Sequence, residues 1–496
     1  MEPVLVLVGL FFLAAWLLLL RSKHERFGNI VFMIRSSLGV KLIDSIAKSY
    51  PRMWTFLADF SVLLSFGGIG GYYLSAHKES RGNLYTSLIL IGFLFAATGA
   101  YLGRFELAAA FLALGILLSY VMRRLQHTML DTGMTTLLFF LATSMILGAT
   151  SAPSALNAAA SALCGLFGLP AIMVYVLSSH GLSILASQTN VPGVSPMLPA
   201  AQGGDIGVTF PGYDLFIPWQ YVLGALFITL VVHEGAHGVL IRVAKIKLKS
   251  TGLLSLFSFP VGAFAEPDEE ELNRCSSVER MRIFTVGSFA NLITGALAAI
   301  LIVLLVNVSA GYVYSNGMQV VGFIPGYPAE KVLPQDTVVY SIDGKPTTNL
   351  TAFKAATASM PPGEVITLDT SKGSYELKLA ANPEDQGKGY VGVYLKENPM
   401  LGGLLGELFG IGALVFMLEM LEWIAFFNLN IALVNIMPLI PFDGGRMFKE
   451  VISTMRMSEL NVKRVLYATI AFMAVLFIVN MLPLLRMMLD YAIKIA

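Results

Sequence analysis

His233-Glu234-Gly235-Ala236-His237 closes an apolar run from Tyr221 to Val232, and a basic tail of Arg242, Lys245, Lys247 and Lys249 follows it. On a helix, residues four apart share a face, so His233 and His237 can reach one metal ion. Glu234, beside the first histidine, is placed to act on a water held by that metal. A motif for activating water thus stands in a segment that excludes water. The combination points to a protease cutting inside the membrane. The competing reading of these five residues alone is a chance histidine pair on a core helix.

The rest of the chain is built to the same plan. Of its 496 residues 56% are hydrophobic and 13% charged, against about 25% charged in soluble domains. A net charge of +1 with no basic stripe argues against a nucleic-acid partner. Cys164 and Cys275 are too few and too far apart for a disulfide framework, and read as buried small apolar residues. A spanning helix needs about 20 mostly apolar residues. Segments near 4–20, 53–73, 84–102, 104–122, 133–150, 156–184, 217–241, 282–309, 402–427 and 464–487 are expected to span. The first reads as an anchor with its N-terminus outside, because no positive stretch precedes it while Arg21, Lys23 and Arg26 follow.

Positive residues favour the cytoplasmic side. Arg21 to Arg26, Arg242 to Lys249, Arg280 to Arg282, and Arg446 to Lys449 with Lys463 and Arg464 all fall on one side if the spans alternate. Lys78 with Arg81, and Arg123 with Arg124, fall on the other. A helix starting near Trp219 places His233 roughly 20 Å along its axis. In a hydrocarbon layer about 30 Å thick, that depth is nearer the cytoplasmic face. Ionisable residues at such depth are costly and usually line a wet cavity.

Two stretches are too polar or too short to span. Residues 28–50, with Arg35, Lys41, Asp44 and Lys48 among apolar residues, predict an amphipathic segment on the cytoplasmic surface. Residues 251–265, broken by Pro260, read as a re-entrant hairpin beside the site. The acidic run Glu266 to Glu271 reads as a solvated loop or helix start rather than a ligand set.

Residues 314–398 form a soluble island. Short alternating segments at Met318 to Ile324, Thr337 to Ile342, Glu364 to Leu368 and Tyr375 to Leu379 are separated by Gly and Pro turns, with a short helix expected over Thr351 to Ser359. Gly326-Tyr327-Pro328-Ala329-Glu330, Asp336-Thr337-Val338-Val339 and Ser341-Ile342-Asp343-Gly344-Lys345 resemble a PDZ domain. Such a domain binds an extended peptide along a strand edge. A spacer without peptide ligand is the alternative.

Two histidines hold a metal poorly; a catalytic zinc usually has three protein ligands and one open position. After the island comes Asn435-Ile436-Met437-Pro438-Leu439-Ile440-Pro441-Phe442-Asp443-Gly444-Gly445-Arg446. Asp443 is a lone carboxylate at the inner end of an apolar helix. It is either the third ligand or an acceptor of backbone N–H bonds in a helix-end turn.

HEGAH in one span, NIMPLIPFDGG in a later span and a PDZ-like insert between them resemble the site-2 protease family of intramembrane zinc metalloproteases, in its archaeal and bacterial form. The family's Gly-x-x-x-Asn helix is matched by Gly287-Ser288-Phe289-Ala290-Asn291, and PVGAFAEPDEEEL after the first motif is also similar. The likeness covers roughly 217–465. Phe442 and Ser288 depart from the commoner residues of the family, but neither replaces a ligand. The resemblance implies one zinc per chain, held by His233, His237 and Asp443, with Glu234 as general base. It implies that Asn291 and Asn435 contact substrate or stabilise the oxyanion and that Gly287 allows close helix packing.

The expected fold is a polytopic α-helical membrane protein with an inserted small β-rich, PDZ-like soluble domain. Its expected parts are N-terminal helices with the cytoplasmic amphipathic segment (1–184), an extracytoplasmic loop (185–216), a catalytic membrane core in two parts (217–310 and 402–496) and the PDZ-like domain (314–398). The expected function is regulated intramembrane proteolysis. Its expected partners are single-span membrane protein substrates, the lipid bilayer and a peptide ligand of the PDZ-like domain. The expected location is the cell membrane, with the active site nearer the cytoplasmic face and the PDZ-like domain outside. A membrane scaffold binding peptides, or a transporter with an embedded ion site, are the alternatives. Glu234 favours the enzyme, because neither needs a base beside a ligand.

Overall fold

The computed structural model describes residues 13, 16–20, 25–27, 30–101, 103–125, 129–151, 155–257, 259–408, 410–453 and 457–495. The chain forms two compact units, Met1–Ala298 with Trp423–Ala496, and Ala299–Glu422.

The first unit begins with strands β1 (Glu25–Phe27) and β2 (Val31–Ser36) and helix α1 (Leu38–Ser49). Helices α2 (Pro51–Ser75), α3 (Lys78–Tyr101), α4 (Phe105–Leu125), α5 (Met129–Ser151), α6 (Ala155–Phe167) and α7 (Leu169–Leu185) follow. Next come β3 (Leu198–Gln202), β4 (Asp205–Thr209), β5 (Phe216–Pro218) and helix α8 (Trp219–Val243). The hairpin β6 (Leu248–Leu256) and β7 (Phe259–Pro267) leads to α9 (Glu269–Arg274) and the long α10 (Ser277–Ala310).

The second unit holds β8 (Val313–Phe323), α11 (Pro328–Val332), β9 (Val338–Ile342), β10 (Lys345–Pro346), α12 (Leu350–Thr357), β11 (Val365–Thr370), β12 (Gly373–Lys378), β13 (Ala380–Ala381), β14 (Gly389–Tyr390), β15 (Val393–Leu401) and α13 (Gly403–Leu408). Helix α14 (Gly410–Asn435) returns the chain to the first unit, which ends with α15 (Asp443–Ser453) and α16 (Glu459–Ile495).

Among the described residues, seven helices are long and apolar enough to cross a membrane: α2, α3, α4, α8, α10, α14 and α16. They coincide with seven of the ten expected spans. The segment 4–20 lies largely outside the described residues. Helix α5 covers the expected span 133–150, and 156–184 is two helices, α6 and α7. The break is Gly168, whose φ of 69° leaves the helical region and whose Cβ, if added, would lie 2.1 Å from the Ser65 carbonyl oxygen. A count of apolar residues cannot see such a corner.

Lipid offers little hydrophobic drive between helices, so packing and polar contacts decide which faces meet. Accordingly α2 buries small and polar residues, Ala58, Asp59, Ser61 and Ser65 among them. One buried cluster runs from Ile43 of α1 through Leu63 and Leu74 of α2 to Val239 and Ile241 of α8. It continues to Met281 and Phe284 of α10 and to Met447 and Val451 of α15.

The stretch 28–50 is only half helix. Its first part pairs with the hairpin to give a four-stranded sheet in the order β1-β2-β6-β7, with Val31 opposite Leu256 and Ser36 opposite Thr251. The second part is α1, which packs Ile43 against Gly238 of α8 and pairs Asp44 with Arg242. The expected loop 185–216 contains most of a three-stranded antiparallel sheet, β3-β4-β5. Its first turn is Gly203-Gly204 with φ of 61° and 98°, the glycine pair that a two-residue hairpin favours. Cys164 and Cys275 are half-buried rather than buried.

In the second unit the strands run in the order β12-β11-β9-β8-β15, with β10 on β9, around Val320, Val339, Ile342, Phe353, Ile366 and Leu377. Every pairing is antiparallel. The likeness of this unit to PDZ domains rests on its sequence signature.

Candidate metal centre

Helix α8 brings His233 and His237 to its buried face, at 6% and 9% exposure. The third group arrives from far along the chain. Helix α14 ends at Asn435, before Pro438 and Pro441, and Asp443 is the first residue of α15. There its Oδ2 lies 3.2 Å from Nε2 of His233 and 3.0 Å from Nε2 of His237, and the two Nε2 atoms are 3.2 Å apart. A tetrahedral zinc with bonds of about 2.0–2.2 Å separates its ligand atoms by about 3.3 Å. The triangle therefore has the size that one such ion requires.

The opposite ring nitrogens sharpen this fit. Nδ1–H of His237 donates to the Ile283 carbonyl at 2.6 Å. That bond leaves the Nε2 lone pair of a neutral ring facing the triangle. Nδ1 of His233 lies 3.1 Å from the Asn291 side-chain amide, whose Oδ1 is buried without a hydrogen-bond partner. Turning that amide over places Oδ1 on Nδ1–H and frees the second Nε2. Three acceptor atoms then converge, an arrangement suited to a bound cation. The residues present fit a divalent metal.

Gly287 of α10 supplies the room. A Cβ there would fall 2.3 Å from Nε2 of His237 and 2.8 Å from Nε2 of His233. The close approach expected at this glycine is therefore to the histidine rings. Asn291, one turn further on, is fully buried behind His233, away from the cavity where it was expected to meet substrate. Asn435 does line that cavity, at the end of α14.

The cavity measures about 770 Å³ and opens onto His233, Glu234, His237 and Asp443. Glu234 is fixed from outside the helix: its Oε2 accepts the Ala265 N–H at 3.0 Å. That amide points away from β6, so the outer edge of β7 faces Glu234. A second cavity of about 840 Å³ shares Glu234 and Phe264 with the first. Apart from Glu234, Thr251 and Thr294, its walls are apolar or aromatic.

At the far end of β7, Glu266 accepts from Ser250 at 2.6 Å and from Arg35 of β2 at 3.1 Å. The Ser250 hydroxyl, then Arg35, hold its carboxyl below the ordinary glutamate value. Asp268 caps α9 through the N–H groups of Glu270 and Glu271, which makes the acidic run a helix start. Sequence reasoning missed Arg35, the Ala265 amide and the Ile283 carbonyl. The last two are backbone atoms and have no signature.

Residues 221–479, more than half of the chain, match the model of a family described as Peptidase family M50. An uncharacterized protein of Methanocaldococcus jannaschii is 27% identical over 228 residues, which is 46% of this chain. The chain aligns with 56% of that relative's own length.

Proposed function

We propose, for a chain that belongs to peptidase family M50, the site-2 protease family of zinc-dependent metalloproteases, that it is an endopeptidase cutting single-span membrane proteins within the bilayer. The observation that carries this reading is the convergence of His233, His237 and Asp443 beside Glu234. These three residues would hold one zinc per chain. When bound there, zinc supplies Lewis acidity that brings the pKa of water to about 7 and polarises the scissile carbonyl.

Glu234 takes the proton from the attacking water and delivers it to the leaving amine. The Ala265 N–H orients its carboxylate in the meantime. Asn435, on the cavity wall, is placed to donate to the developing oxyanion or to the substrate backbone. Asn291 acts on His233, holding its ring in the tautomer that leaves Nε2 free.

A spanning helix has its carbonyls already hydrogen-bonded, so substrate must unwind before it can be cut. The apolar second cavity and the outer edge of β7 support a substrate that arrives as a membrane helix and is read as a strand. We place the protein in the cell membrane with its centre nearer the cytoplasmic face. The β-rich unit would lie outside and bind an extended peptide.

Purified protein and a labelled single-span substrate test the reading. Wild type is expected to cleave and to hold one zinc per chain. Glu234→Gln is expected to keep zinc and lose cleavage. Cleavage that survives in Glu234→Gln, or a wild type without zinc, overturns it.

A further inference from the structure

Helix α10 contributes no ligand to the metal centre, yet the centre leans on it through the Ile283 carbonyl and the Gly287 backbone. What fixes α10 lies on its other side. Arg282, the residue before Ile283, points to α2 and meets Asp59. Its Nε donates to Oδ1 at 2.7 Å and its Nη2 to Oδ2 at 2.9 Å. The Asp59 side chain is 0% exposed and that of Arg282 10% exposed. Asn83 of α3 adds a bond to Oδ2 at 2.7 Å, and Ser80 joins Arg282 to Asp59.

Two more contacts follow along the same pair of helices. Ser61 and Thr285 hydroxyls meet at 2.6 Å, and the rings of Phe60 and Phe289 pack edge to face at 5.8 Å. The fork of Arg282 on a carboxylate fixes both the rotation and the axial position of α10. A shift of either would carry the Ile283 carbonyl away from His237.

We propose that Asp59, which stands outside the residues matching the family, is a positioning residue for the metal centre, acting through Arg282 and the Ile283 carbonyl. The N-terminal helices thereby become part of the apparatus that sets metal affinity. A buried ion pair adds little stability compared with apolar residues of the same shape, but it specifies one geometry. The apolar double replacement Asp59→Leu/Arg282→Met separates these two roles, because it leaves no buried charge unpaired. The inference rests on the metalloprotease reading.

The test uses the full-length protein, prepared metal-free and then loaded with zinc or with cobalt(II). Zinc affinity is measured by competition with a chromophoric chelator, and ligand geometry by the visible bands of the cobalt form. Asp59→Asn and the Leu/Met double variant are expected to bind zinc about 10- to 100-fold more weakly and to shift the cobalt bands. The metal-free double variant should melt at or above the wild-type temperature. A folded double variant with wild-type zinc affinity and cobalt spectrum overturns the inference, whatever Asp59→Asn does. A wild type that binds no zinc overturns the metalloprotease reading, and the inference falls with it. A wild type that binds zinc no better than the double variant sinks only the inference.

Discussion

Gly287→Ala adds one methyl group at the most confined point of the metal centre. The new carbon would lie 2.3 Å from Nε2 of His237 and 2.8 Å from Nε2 of His233. Non-bonded contacts settle near 3.5 Å, so His237 has to retreat by about 1 Å. The helix is poorly placed to yield instead, because Arg282 ties it to Asp59 and Arg280 ties it to Glu450. Metal–ligand distances tolerate only about 0.2 Å, and a misplacement of about 1 Å in a reacting geometry costs about 10²-fold. Zinc affinity and cleavage rate are therefore expected to fall together by at least about 10²-fold. Global folding should survive, since alanine suits a helix interior better than glycine by about 1 kcal/mol, against about 1–3 kcal/mol for overpacking. The assay is chelator competition for zinc, turnover of a labelled single-span substrate, and a thermal melt of the metal-free protein. A Gly287→Ala protein with wild-type zinc affinity and turnover would refute the argument from Cβ distance.

Three further outcomes are expected. Asp443→Asn should lower zinc affinity while leaving the metal-free fold intact; zinc content measured by elemental analysis checks it, and unchanged content removes Asp443 from the ligand set. Asn291→Leu, which fills the same space without an acceptor for His233, should weaken zinc binding about 10- to 100-fold, and equal binding would show that the amide orients nothing. Glu266, whose carboxyl is held down by Ser250 and Arg35, should stabilise the fold above the ordinary glutamate pKa, with that contribution lost as pH falls through its lowered value. Melting wild type and Glu266→Gln from neutral pH into the carboxylate range should show a gap that closes on acidification; a constant gap contradicts the assignment.

The sequence made local chemistry visible and hid what depends on distance. His233, Glu234 and His237 stand within five residues, so the helical period alone places two of them on one face. Asp443 is separated from His237 by the whole of the second unit, and only a motif could propose the pairing that the structure brings within 3.0 Å. Asn291 shows the limit of a motif, which named the residue but not the side of the histidine on which it sits. β2 stands inside a stretch that reads only as an amphipathic segment, because its partner β6 lies more than two hundred residues away. The helix break at Gly168 escaped for another reason. A span is judged by composition, whereas a corner depends on one dihedral angle and on the carbonyl packed against it.

Helix α10 meets His237 through its backbone, at the Ile283 carbonyl and at Gly287, which divides tolerance to mutation unevenly along it. At position 283 a backbone carbonyl is needed and any residue supplies one, so another apolar side chain that fills the buried place of isoleucine keeps the hydrogen bond to His237. At position 287 the requirement is for the absence of an atom, and glycine alone meets it. A survey of permitted substitutions along this helix should thus show a site that accepts other apolar residues and a site that accepts glycine alone, a single turn apart, though both border the same histidine.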